Sequence, residues 1–89
     1  MNTFGVIKII SQPITRGNLV ELAEETFGDM IKAVVDVERK VMAIVGELHA
    51  DEESVLLEQG SLQEHVWGIN LYPEFIGDDF IEFDSMINI

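Results

Sequence analysis

The densest chemistry in this sequence lies in Glu47-Leu48-His49-Ala50-Asp51-Glu52-Glu53. If the segment stays extended, side chains alternate and Glu47, His49 and Asp51 share one face. Two carboxylates and an imidazole can hold Mn²⁺, Fe²⁺ or Zn²⁺ with a position left open, a set suited to metal-assisted hydrolysis. The same letters also have a purely structural reading. Asp51 would cap a helix, Glu52 and Glu53 would face its positive end, Glu47 would be a solvated strand end, and His49 would donate to a backbone carbonyl. Acids at helix starts are common and the ligand spacing is unspecific, which favours the structural reading.

Other chemical signals are weaker. His65, after Glu64, could join the metal set or act as a base, because its ordinary pKa lies near neutrality, but a lone histidine at a strand entrance is usually a surface residue. Ser61 with His65, or Ser85 beside Asp84, lacks a glycine-flanked nucleophile elbow. The seven glycines are scattered singly, so no phosphate-cradling loop is present. With no cysteine, thiolate catalysis, disulfides and sulfur-ligated metals are excluded.

The elements that would position these residues follow from the hydropathy pattern. Phe4 to Ile10 reads as a strand that Pro13 prevents from continuing. Thr15 is placed to cap a helix whose stripe is Leu19, Leu22, Ala23, Thr26 and Phe27, with Gly28 as its left-handed stop. Met30 to Glu38 and Val41 to Leu48 are β-branched runs joined by a short polar turn, which predicts an antiparallel hairpin. Residues 52–59 read as a second, short helix capped by Asp51 and stopped by Gly60, with a strand over Val55 to Gly60 as the rival. Val66 to Tyr72 and Phe80 to Ile89 alternate as a second hairpin. Gly46 and Gly68 fall inside these strands and mark a bulge or a close backbone approach.

The 89 residues therefore predict a single α+β domain over 1–89. Its order is β-α-β-β-α-β-β: an antiparallel sheet of about five strands and two helices, a variant of the ferredoxin-like split βαβ with the helices on one face. That architecture hosts many unrelated functions.

Composition narrows the partners. Seventeen acidic residues against five basic give a net charge of −12, too few cations to neutralise a run of phosphates. No apolar stretch reaches the roughly 20 residues needed to span a bilayer. Mean hydropathy of +0.20 separates the chain from disordered acidic polymers. Trp67, Tyr72, Phe75 and Ile76 are candidate interaction residues; Phe75 and Ile76 sit in a loop between acids, an odd place for large apolar groups. The first residues lack the pattern of an export signal. The last strand runs to residue 89 with no polar tail, so it is either tied into a sheet or cut from a longer chain.

The runs Phe27–Asp36 (FGDMIKAVVD), Gly46–Glu52 (GELHADE), Trp67–Pro73 (WGINLYP) and Ile81–Ile89 (IEFDSMINI) resemble a family of small uncharacterised proteins of bacteria and archaea, described only as a domain of unknown function. The resemblance implies a prokaryotic, cytoplasmic protein and brings no activity or site residues with it. The expected function is a non-enzymatic, acidic interaction or self-association domain, with a protein partner or a second copy (a homodimer) as its ligand rather than nucleic acid or membrane. The alternative is a divalent-metal protein built on Glu47, His49 and Asp51; no other cofactor is expected. An acidic mimic of nucleic acid is a third, weaker option that rests on net charge alone.

Overall fold

The computed structural model describes residues 7–46 and 48–85. Along the chain come β1 (Lys8–Ile10), α1 (Arg16–Glu25), β2 (Ile31–Asp36), β3 (Val41–Ile44), α2 (His49–Glu58), β4 (Val66–Leu71) and β5 (Ile81–Ser85), with 3-10 turns at Gln63–His65 and Gly77–Phe80. This is the α+β order expected from the sequence. Expected strand residues 4–6 and 86–89 lie outside the described residues.

Local chemistry sets the ends of α1. The Thr15 hydroxyl accepts the Asn18 amide at 3.1 Å, using one of the amides that a helix start leaves unpaired. At the other end Gly28 takes φ +99°, and its amide reaches back to the Ala23 carbonyl at 2.6 Å. Only glycine adopts that conformation without steric cost. Of the expected stripe, Leu19 and Ala23 are buried, while Phe27 is left 39% exposed.

The sheet is antiparallel throughout, in the order β1-β3-β2-β4-β5. β1, β3 and β2 are neighbours, as in a split βαβ, but β4 lies on the far side of β2. That placement decides where the helices go. The crossovers β1-α1-β2 and β3-α2-β4 step the same way across the sheet, yet they start from strands of opposite direction. Right-handed crossovers then require opposite faces.

The packing agrees. Leu19 and Ala23 of α1 pack with Ile31, Ala33, Ile44, Ile69 and Leu71, whereas Leu56 of α2 packs with Val34, Ala43 and Val66. Alternate residues of β2 and β3 thus face different helices, and the expectation of both helices on one face is corrected. Ile31, Ile44, Leu56, Val34 and Val66 are each under 2% exposed, a burial that stabilises by roughly 1.5–3 kcal/mol per side chain.

Two further boundaries differ from the expectation. β3 stops at Ile44 because Val45 takes φ +77°, a left-handed conformation rare for a β-branched residue, which turns the chain off the sheet. α2 starts at His49 with Leu48 as an N-cap that offers no side-chain acceptor. Asp51 is therefore a first-turn acid rather than the cap, where its charge still favours the helix dipole. Residues 55–58 are helical, so the rival strand reading does not hold.

Candidate functional site

His49 and Glu52 stand three residues apart on α2, so both fall on the face turned to the sheet. Both are buried, at 8% and 0% exposure. His49 Nε2 donates to the Ile69 carbonyl at 2.9 Å. Ile69 lies at a bulge, where Gly68 pairs with Ser85 and Ile69 with Phe83. One step on β4 is matched by two on β5, which disrupts the ladder locally. The histidine satisfies a carbonyl at that irregularity. Gly68 is therefore a bulge glycine, one of the two roles its sequence position suggested.

Glu52 is the more unusual group. Its Oε2 accepts the Gly46 amide at 2.8 Å, while Oε1 has no partner among the described residues. Burial pushes the carboxyl up to about 9, against the opposing pull of the Gly46 amide and of Lys32, so the side chain is neutral near physiological pH. Gly46 is needed for the approach: a Cβ there would lie 2.7 Å from Glu52 Cγ. What comes close to this glycine is a side chain of the same chain.

The metal candidates do not come together as an extended segment would bring them. His49 and Asp51 are on a helix, where positions two apart point about 200° apart; His49 is inside and Asp51 is exposed. Glu47 lies outside the described residues. His65 belongs to a different corner: its carbonyl accepts the Val37 amide at 3.1 Å, and its Nε2 is 3.7 Å from Glu64 Oε2. Among the described residues no three His, Asp or Glu side chains are arranged to hold a metal ion.

In that corner Asp36 organises the β2–β3 turn. Its Oδ1 accepts the amides of Glu38 and Arg39, both at 2.9 Å, and Lys40 follows at φ +60°. Burial opposes ionisation of Asp36, but hydrogen bonds from Ser61, Arg39 and Glu38 outweigh it and hold the carboxyl below its ordinary value.

A broad concavity lies on the α1 face. It is a groove of about 770 Å³. Its floor is Ile10, Met42, Val35 and Ile69, one wall is the Ser11–Ile14 connection, the other is Ile81 and Phe83, and Val37 and Lys40 close one end. Among the described residues a single ten-residue helix, about 15 Å long, packs on this face of the five-stranded sheet, and the groove lies beside it. Val37, Ile81 and Phe83 remain 59, 43 and 74% exposed along it. Trp67 meets the Phe83 ring edge-on at 6.5 Å.

A smaller cavity of about 410 Å³ lies beside it, lined by Tyr72, Phe75, Asp79, Ile81 and Glu82. Ile81 is common to both. The Tyr72 and Phe75 rings stack at 5.5 Å. Hydrogen bonds from Asn70 and the Tyr72 hydroxyl, both 3.1 Å, hold the Glu82 carboxyl below its ordinary value. The Arg16 guanidinium pins the intervening loop, donating to the carbonyls of Pro73 at 2.9 Å and Phe75 at 2.6 Å while lying 4.5 Å over the Phe80 ring. Of the four interaction candidates, Tyr72 and Phe75 line this cavity, Trp67 abuts Phe83, and Ile76 is 79% exposed and lines neither concavity.

Residues 8–89 match the family described as "Protein of unknown function (DUF5674)". The chain belongs to that family. No curated protein and no solved structure matches it. Membership brings no residue roles, so the site rests on geometry. Among the described residues, no helix of this family member is long and apolar enough to cross a membrane.

Sequence reasoning missed Glu52 as a buried group because an acid in a first helical turn reads as dipole-facing and solvated. It missed the groove because every lining strand reads as core. The one available signal for Glu52 was Gly46, six residues upstream, a glycine inside the expected strand Val41 to Leu48.

Proposed function

We propose that this chain is a non-enzymatic interaction domain that docks a protein partner on the α1 face of its sheet. The observation that carries the reading is the groove of about 770 Å³, walled almost wholly by carbon and crossed by all five strands. Its volume falls in the range of ordinary binding clefts, roughly 300–1,000 Å³, and contiguous exposed apolar surface of this kind marks interaction sites. The acidic surface keeps the domain soluble and steers cationic partners toward it. In this reading the protein works in the cytoplasm, and chemistry at His49 or Glu52 plays no part, since both side chains are engaged in holding α2 to the sheet.

The test is direct. Nile red, a neutral apolar dye, should brighten and shift to the blue with the native protein. The response should fall several-fold in a Val37→Asp, Phe83→Asp double variant, whose changes are at exposed positions and leave the core intact. Analytical ultracentrifugation over a concentration series reports whether a second copy competes for the face. A native protein that leaves the dye dark has no accessible groove and removes the reading.

A further inference from the structure

Among the described residues, Ile81 and Phe83 of β5 lie on the outer edge of the sheet. β5 is the last strand of the sheet and, among the described residues, pairs with β4 alone. The Tyr72 amide donates to the Phe80 carbonyl at 2.8 Å, and Asn70 pairs with Glu82. By the alternation of an antiparallel ladder, residues 80 and 82 turn their main-chain groups toward β4, and residues 81 and 83 turn theirs outward. The two residues with free main-chain groups are also two of the most apolar exposed ones, at 43 and 74%.

Both cavities meet at this edge. On the α1 face Ile81 and Phe83 form the wall of the apolar groove. Behind them, Glu82 and Asp79 line the smaller cavity together with the stacked rings of Tyr72 and Phe75. Carboxylates beside aromatic faces attract an ammonium or guanidinium group. Glu82 is held ionised by its hydrogen bonds from Asn70 and Tyr72.

We propose that the partner docks as an added β-strand along β5, through an extended segment in which apolar residues alternate with lysine or arginine. This rests on the interaction reading above and names the partner's chemistry. Apolar residues of the added strand lie opposite Ile81 and Phe83, exchange main-chain hydrogen bonds with them, and extend the groove wall. The basic residue between them lies opposite Glu82 in a non-hydrogen-bonded pair, where side chains approach most closely. Its cation enters the space between Tyr72, Phe75, Asp79 and Glu82.

A second copy of the chain fits this edge badly. Antiparallel pairing of β5 with itself sets Phe83 against an apolar residue, Ile81 or Phe83, in two registers. The register that sets Phe83 against Ile81 places Glu82 opposite Glu82. Like charges directly opposite each other destabilise a strand pair, and each chain brings a net charge of −12.

The experiment follows Trp67, the single tryptophan, by fluorescence in the native protein during titration with Ac-VKVKVKV-NH2. Controls are Ac-VEVEVEV-NH2 and the lysine peptide N-methylated at its valines, which keeps every side chain and removes the pairing amides. The lysine peptide should bind, weaken with salt, and lose at least tenfold in affinity to Asp79→Asn, Glu82→Gln. Neither control should bind. Equal binding of the N-methylated peptide overturns strand addition while leaving the groove as an interaction surface. Equal binding of the glutamate peptide overturns the basic partner. A stable dimer at micromolar concentration makes the second copy the occupant and overturns the proposal. Failure of the lysine peptide in a protein that still brightens Nile red refutes this inference alone; failure of both probes refutes the groove reading as well.

Discussion

Glu52 Oε2 accepts the Gly46 amide at 2.8 Å, and the approach is so close that a Cβ on residue 46 would lie 2.7 Å from Glu52 Cγ. The contact ties the start of α2 to the end of β3, immediately after the left-handed turn at Val45. Because Glu52 is fully buried, it has nowhere to move. Gly46→Ala should therefore cost on the order of 1–3 kcal/mol, the range for overpacking. Chemical denaturation of Gly46→Ala, Glu52→Ala and the double variant measures it. The two costs should be strongly non-additive, because the second change removes the clash made by the first.

The same carboxyl makes stability fall with alkalinity. Its folded pKa of about 9 stands above the ordinary 4.5. Between these values the folded chain keeps a proton that the unfolded chain has released, so the Glu52 contribution is full below about pH 4.5 and is lost as pH rises toward 9. Glu52→Gln keeps the acceptor for Gly46 and abolishes the titration. It should be more stable than the native protein by more than about 1 kcal/mol at pH 8, and the difference should vanish at pH 4. Denaturant midpoints at the two pH values decide it.

Asp36 acts with the opposite sign. Its carboxyl is held below the ordinary 3.8 by hydrogen bonds from Ser61, Arg39 and Glu38, which outweigh its burial. The stability it contributes is present above that value and lost as pH falls through the folded pKa. Asp36→Ala removes the acceptor of two turn amides and should cost about 1–3 kcal/mol at pH 7, with the gap narrowing as acid titration passes below the ordinary 3.8. A variant that loses nothing at neutral pH would show that the turn closes without Asp36.

His49→Ala leaves the Ile69 carbonyl without its 2.9 Å donor in a buried site. The expected loss is about 1–3 kcal/mol, read as a lowered melting temperature. A thermal scan with Mn²⁺ or Zn²⁺ bears on the metal expectation, because an ion that binds only the folded chain raises the transition by mass action. With His49 engaged at Ile69 and Asp51 facing solvent, neither ion should shift it.

How much could be read in advance differs from one residue to the next. Thr15, Leu19, Ala23 and Gly28 act within one helix, so local spacing sufficed to place cap, buried stripe and stop. His49 was legible too: a histidine beside a helix start has few partners other than a nearby carbonyl. Strand limits were harder at Val45, since β propensity favours continuing the strand and only the docking of α2 explains a β-branched residue at φ +77°.

Periodicity and local capping determined the α+β class, the element order and both hairpins, because those patterns depend on neighbours a few positions away. Tertiary structure alone decided that β4 lies beside β2, and with it the geometry of both cavities. That one lateral choice, coupled to crossover handedness, sends α1 and α2 to opposite faces and leaves the groove beside α1 on its face. It also seats Glu52 over the sheet and brings Tyr72, Phe75, Asp79 and Glu82 to the outer edge. No alternation within a strand encodes which neighbour that strand will take; the burial of both sheet faces selects it.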